Sequence, residues 1–409
     1  LTDPKASKPV SQGEFVAMMA MLFATIALSI DAMLPALPAI AAELSPADPN
    51  QAQLVVTSFF FGMGVGTLFA GPLSDTFGRK PVIFGCAALY LIGAGLCFLA
   101  PSLETLLIAR VLQGLGAAAP RVVGMAMVRD LYKGRDMARI VSFVMMIFMV
   151  VPALAPLLGQ GILLVGDWRT IFGAIALIAF IANAWVLFRQ PETLPASARR
   201  SLRLSELWQS AGEIVRHRIA VVSTLCQTLG TACLLAMLSS QQGIFEQTFD
   251  RGATFALWFG FIALCATSGS LLNSRIVMRL GMRRVIVGTY LGQVVLTLVL
   301  LAALEAGLVP AGLVFPAHVF WSITVFSMMG LTQGNLSALA MEDLGHVAGL
   351  ASSMMTAVST VFAVLLAVPV GLAFNGTQIP VMIGVGVFTC LAFALMRYAA
   401  GIRPSLSLP

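Results

Sequence analysis

The chain has 409 residues, 59% of them hydrophobic and only 10% charged, with a formal net charge of +6. Soluble domains carry about 25% charged residues, so this composition excludes a soluble globular protein. The basic balance does not point to nucleic acid either. The Lys and Arg residues fall in links between apolar runs, where they orient a chain in a bilayer; the expected surrounding is lipid, and nucleic acid is not an expected partner.

Cys86, Cys97, Cys226, Cys233, Cys265 and Cys390 all lie inside apolar runs, with no CxxC pair and no His/Cys ligand spacing. They read as small buried hydrophobes, so neither a disulfide framework nor a metal site is expected. The three histidines are scattered, and no nucleophile–base pair or HExxH-type cluster occurs. No catalytic residue and no cofactor are expected, and the chain does not read as an enzyme.

A bilayer crossing needs roughly 20 apolar residues. Runs of that kind fall at 15–42, 51–73, 81–100, 103–128, 137–164, 169–189, 217–244, 252–278, 284–305, 309–339, 347–374 and 378–399. The expected fold is an all-α membrane protein of twelve transmembrane helices in two six-helix, pseudo-symmetric halves. The first run is too long for a signal-peptide core and lacks a small-residue cleavage site, so it reads as a retained span; Leu1 in place of Met reads as a trimmed start.

Within that first span stands Asp31, the one acid placed deep in any of the runs. A charge at such depth costs roughly 2.5–3.5 kcal/mol on insertion scales, so an acid kept there is a functional candidate, here for proton coupling. Pro35 and Pro38 follow it and are expected to kink the span.

After the second span comes Gly71-Pro72-Leu73-Ser74-Asp75-Thr76-Phe77-Gly78-Arg79-Lys80. Gly71 permits close helix approach and Gly78 a positive φ. Asp75 can pair with Arg79. The string reads as a charge latch at a helix end, or as a capped turn with a solvated ion pair.

The fourth span holds Arg110, Gln113 and Arg121. At about 1.5 Å per residue, Asp31 and Arg110 lie roughly 16 and 10 Å below the same surface. They are expected to face a common cavity, where the guanidinium would favour the ionised carboxyl and exclusion of water the neutral one. Arg121 returns to nearly the same face roughly 16 Å further along. It reads either as an anion-attracting or relay residue or as a charge snorkelling to the surface.

In the fifth span Pro152, Pro156 and Gly159 mark an expected kink, and Met145 and Met149, with Phe59 of the second span, offer adaptable apolar contact to a substrate. The longest polar link, 190–216, divides the chain into a tail 1–14, a half 15–189, the link, a half 217–399 and a tail 400–409. Leu202, Leu204, Leu207 and Trp208 could form one face of a surface helix there, or the link is a flexible tether. In the second half Gln227 and Gln241 need a partner or a wet cavity. Trp258, His318 and Trp321 are further cavity candidates, with helix packing the competing reading for the aromatic residues. His318 reads as a proton relay or as a hydrogen-bonded packing residue.

Lys and Arg crowd one set of links, from Arg79 and Lys80 through Arg284, while the opposite set carries only Arg169 and Arg251. Both termini go with the basic set, which assigns them to the cytoplasm.

The Gly71–Lys80 string resembles the cytoplasmic signature of the major facilitator superfamily, G-x-L-(a/s)-D-r-x-G-r-k. Arg275, Arg279, Gly281, Arg283 and Arg284 resemble a degraded copy without its acid. Leu107–Ala118, around Arg110, is similar to the superfamily's Arg-containing segment, which the family ties to proton transfer. Pro152–Gly161 resembles the kinked antiporter motif, with Ala155 and Gln160 departing from it. With Asp31-x-x-x-Pro35, Arg129-Asp130-Leu131-Tyr132 and Pro191-Glu192-Thr193-Leu194, the chain resembles the bicyclomycin/chloramphenicol-resistance (Bcr/CflA) branch of drug:proton antiporters. The resemblance implies a monomeric, multi-pass transporter of the bacterial inner membrane that works by alternating access. It implies export of small drug-like molecules in exchange for protons, with the proton gradient as driving force and no cofactor. The alternative on the same fold is proton-coupled transport of an endogenous metabolite, outward or inward.

Overall fold

The computed structural model describes residues 10–199, 212, 214–342 and 348–400. The side chains of Ala138, Phe148, Met149, Ala348 and Ala400 are not among those described. The proposed surface helix around Leu202–Trp208 lies outside the described residues, and so does the side chain of Met149. Among the described residues there is no strand, and twelve helical segments are long and apolar enough to cross a membrane. They are span 1, Gln12–Leu44; span 2, Pro49–Phe77; span 3, Arg79–Phe98; span 4, Leu103–Leu131; span 5, Gly134–Leu163; and span 6, Trp168–Arg189. The second six are span 7, Arg218–Thr248; span 8, Gly252–Leu280; span 9, Met282–Glu305; span 10, Ala311–Met341; span 11, Gly349–Leu372; and span 12, Ile379–Ala399.

Local chemistry sets where these helices begin. Ser11, Ser102 and Asp167 cap spans 1, 4 and 6, accepting the amides of Glu14 at 3.2 Å, Thr105 at 3.3 Å and Thr170 at 3.0 Å. Such caps satisfy amides that the first helical turn leaves without a partner. Burial works against the Asp167 carboxylate, but the Thr170 amide and hydroxyl, with the Arg169 charge and amide, together hold it below the usual range. Spans 3 and 9 both start from a glycine at positive φ, Gly78 at 104° and Gly281 at 79°, a conformation in which a side chain is strained.

Span 1 is not one helix. The α-helix Gln12–Asp31 stops at the acid, a 3-10 turn covers Leu34–Ala36, and a second helix runs Leu37–Leu44. Pro35 and Pro38 lack the amides that would continue the ladder. Span 5 behaves differently, its helix continuing through both Pro152 and Pro156.

The chain forms two compact units, Leu1–Arg203 and Leu204–Pro409. In the first, span 4 packs on spans 2, 3 and 1, span 1 on spans 5 and 6, and span 3 on span 6. In the second, the same pairings recur: span 10 with spans 8, 9 and 7, span 7 with spans 11 and 12, and span 9 with span 12. Each unit therefore repeats one packing plan. Backbones approach closely where side chains are missing, as expected for helices associating in lipid. A Cβ at Gly62 would collide with the Val111 carbonyl, one at Gly114 with the Phe59 carbonyl, and one at Gly159 with the Ala32 carbonyl. The last contact presses span 5 against the break in span 1, one residue beyond Asp31.

Large apolar side chains such as Phe84, Ile108, Leu177 and Leu298 are exposed. In water this surface would drive aggregation; in hydrocarbon it is the natural outer face of a helical bundle.

Candidate functional site

Arg110 is fully buried and ties three helices together. Its Nε donates to the Val55 carbonyl of span 2 at 3.0 Å, Nη1 to Gln113 Oε1 at 2.7 Å, and Nη2 to the Ser29 carbonyl of span 1 at 3.1 Å. The guanidinium stacks over the Phe59 ring, 4.4 Å from its centroid, and lies 5.7 Å from that of Phe172. Only Arg offers donors in so wide a planar fork together with a face for stacking. Span 3 joins the knot: Tyr90 hydroxyl is hydrogen-bonded to Ser29 Oγ, and Cys97 Sγ lies 3.9 Å from Gln113 Oε1. Phe59 and Gln113, which the sequence offers as substrate contacts, are both fully buried inside this knot.

Asp31 is 5% exposed. It lies on the same helix as the Ser29 carbonyl that Arg110 grips, yet it forms no ion pair with Arg110. Among the described residues nothing hydrogen-bonds to it or pairs with it. The structure thus brings the two residues to one region of span 1 without joining them. Arg121 is exposed and also has no hydrogen bond or ion pair among the described residues. Met145 is half-buried against the apolar core of Phe15, Met19 and Met127.

At the end of the first unit that carries the basic links, three separated strings converge on Arg79. Its Nη1 pairs with Asp75 and donates to Ser74 Oγ at 2.7 Å, and its Nε donates to Asp130 Oδ2 at 2.9 Å. Thr193 Oγ1 donates to the same Asp130 oxygen at 3.0 Å. Glu192 receives the backbone amides of Arg79 and Lys80 at 3.0 Å each, capping span 3 from 112 residues away. A Cβ on Gly78 would come within 2.7 Å of Glu192 Oε2, so this glycine serves both its positive φ and the approach of the carboxylate. Gly71 faces Val122 across an ordinary contact.

Two further ion pairs bracket spans 1 and 6, and no local sequence pattern marks either. Glu14 receives Arg189 Nε at 2.7 Å and Nη2 at 2.8 Å at the basic end. At the opposite end Glu43 pairs with Arg169 at 2.7 Å and accepts from Trp168 Nε1 at 2.7 Å. Arg169 also donates to the Ala100 carbonyl at 3.0 Å.

In the second unit the amides have protein partners. Gln227 Nε2 donates to Ser337 Oγ at 2.7 Å, and Gln241 Nε2 to Ser322 Oγ at 3.0 Å. His318 Nε2 lies 3.3 Å from Gln241 Oε1. Trp321 is fully buried and donates to Thr297 Oγ1 at 2.9 Å. Trp258 meets Phe315 edge-on at 4.9 Å, within a cluster that includes Phe245 and Phe249. No group of His, Cys, Asp and Glu suited to a metal ion occurs among the described residues.

The family model described as Major Facilitator Superfamily matches residues 17–367. An uncharacterized MFS-type transporter of Bacillus subtilis, YdgK, is 31% identical over 80% of this chain and 81% of its own. A bicyclomycin resistance protein homolog of Haemophilus influenzae is 27% identical over 94% and 95%, and the multidrug resistance protein MdtL of Escherichia coli 34% over 54% and 56%. Among solved structures, a D-xylose-proton symporter superposes with a TM-score of 0.74 at 14% identity, over 93% of this chain and 97% of its own. That likeness concerns the fold. With twelve spans in two similarly packed units and the Gly71–Lys80 latch in place, the chain is a transporter of the Major Facilitator Superfamily, related to its bicyclomycin- and multidrug-resistance members.

Proposed function

We propose that this transporter exports small drug-like molecules in exchange for protons, by alternating access, and that Asp31 carries the proton. The observation behind the reading is a carboxyl buried where span 1 breaks, with no cation paired to it among the described residues. Intramembrane acids of this kind are rare and mark coupling sites. Around it stand rigid supports: Arg110 holds the Ser29 carbonyl at 3.1 Å, and Gly159 brings span 5 against Ala32. Arg110 here positions span 1, and a change in the distance between its guanidinium and the acid would bias uptake against release. The drug class follows from what the similar proteins of H. influenzae and E. coli are called. The site would act in the inner membrane of a bacterium, as a monomer, with the basic links and both termini in the cytoplasm.

A resistance screen of drug-sensitive cells expressing the chain tests this reading. Protection against at least one compound is expected from the native protein and is expected to vanish in Asp31→Asn and Arg110→Ala. Protection that survives collapse of the pH gradient would contradict proton coupling.

A further inference from the structure

His318 occupies in the second unit the register that Arg110 occupies in the first. Each lies seven residues after the first residue of its helix, Leu103 and Ala311, and each is buried. The arginine is a permanent cation, and every one of its hydrogen bonds described above ends on an oxygen. The surroundings of His318 share that character. Gln241 gives its amide Nε2 to Ser322 Oγ at 3.0 Å, which turns its Oε1 towards His318 Nε2 at 3.3 Å. An amide oxygen only accepts, so Nε2 carries a hydrogen and the neutral ring leaves Nδ1 as a bare acceptor. The other polar side chain at the ring is Gln378, immediately ahead of span 12. Both His318 Nδ1 and Gln378 Oε1 are buried without a hydrogen-bond partner. Two buried acceptors therefore stand at one site, neither with a hydrogen-bond partner among the described residues, an arrangement that costs free energy until a donor arrives.

We propose that His318 is a second proton-binding group of this transporter. A proton on Nδ1 turns both orphaned acceptors into one charge-assisted hydrogen bond, Nδ1–H to Gln378 Oε1, while Nε2–H keeps its bond to Gln241. The bond ties span 10 to the segment between spans 11 and 12, which Thr248 already holds from span 7 through the Gly376 carbonyl at 2.7 Å. Aromatic rings complete the site, with centroids 5.3 Å away in Phe249, 5.8 Å in Trp321 and 6.0 Å in Phe245. Rings at such distances attract a cation. None of the described contacts of His318 is charged: span 7 offers Gln241 and Phe245, the residue just after it Phe249, span 10 Trp321 and Ser322, and the segment ahead of span 12 Gln378. The charged groups described in this region lie beyond those contacts: Arg251 is stacked on Phe315 at 4.5 Å, and Glu246 lies against Gln242 at 3.4 Å.

The inference concerns the other six-span unit and does not depend on Asp31. The test therefore reads protonation directly and not transport. Full-length protein with ¹⁵N-labelled histidine in lipid nanodiscs is titrated with acid by NMR, and His318 is assigned by the signal lost in His318→Gln. The expected result is a ring that passes from one N–H to two as pH falls. Gln378→Leu should weaken its proton affinity about tenfold and Gln378→Glu strengthen it by at least as much, one pKa unit being a factor of ten. Unchanged signals from the other two histidines show that the variants are folded, and Asp31→Asn should leave the titration in place. A ring that keeps a single N–H at every pH, its Nδ1 accepting from a reversed Gln378 amide, would overturn the proposal. So would a titration indifferent to both Gln378 variants.

Discussion

Arg110 and Asp31 have opposite fates in the same few turns of helix. Each nitrogen of the cation donates one hydrogen bond, to the Val55 carbonyl, Gln113 and the Ser29 carbonyl, whereas the acid has no partner among the described residues. Lysine at position 110 has a single ammonium and cannot reach all three acceptors. Each buried carbonyl left without a donor costs about 1–3 kcal/mol, so Arg110→Lys should lower the melting temperature in detergent while retaining the positive charge. The pattern of these contacts also explains what could be read in advance. Asp31 and Arg110 stand out because charge is scarce in apolar runs. The acceptors of Arg110 are mostly backbone oxygens, which have no signature in a sequence, so its hold on spans 1 and 2 is not legible there. Phe59 and Gln113 are legible as substrate-cavity candidates, but their burial beneath and beside the guanidinium is not.

At the scale of elements, the latch at the start of span 3 and the cap of span 6 each make a prediction. Glu192 accepts two amides at the first turn of span 3, and removing such a cap typically costs about 0.5–2 kcal/mol. Glu192→Ala should therefore destabilise the protein by that order in thermal unfolding, and Glu192→Gln, which keeps an acceptor, by less. Asp75 and Asp130 share Arg79, so a double-mutant cycle of Asp75→Asn and Asp130→Asn should be non-additive, by about 0.5–3 kcal/mol. Additive losses would mean that the three residues do not act together. The cap at Asp167 is pH-dependent with a fixed sign. Its carboxylate is held below the usual range, so its stabilisation is complete above the ordinary aspartate value of about 3.9. It is lost as pH falls through the lower folded-state value, and Asp167→Asn should remove that pH dependence. Span positions were readable from hydropathy alone, since length and composition decide them. The partners of the latch lie in separate strings of the sequence, and no local pattern says that Glu192 returns across 112 residues to cap span 3. The same distance in sequence hid the Glu43–Arg169 and Glu14–Arg189 pairs.

For the whole molecule, the repeated packing plan of the two units accounts for what their sequences share and where they differ. Gly78 and Gly281 keep the same positive-φ start to spans 3 and 9, while the acids that hold Arg79 in the first unit have no counterpart in the degraded copy around Gly281. The proposed orientation rests on the asymmetry of Lys and Arg, and cysteine labelling checks it. Replacing Asp167 by Cys in a cysteine-free background should expose a thiol to an impermeant reagent in intact cells. Arg135→Cys should react only after the membrane is opened. The reverse pattern would invert the assignment of both termini. The account as a whole rests on a proton held by Asp31, and proton release on substrate binding tests it most directly. Purified protein in weakly buffered detergent solution, mixed with a compound identified by the resistance screen, should acidify the solution, and Asp31→Asn should bind the compound without doing so. Equal acidification by both proteins would contradict the central claim.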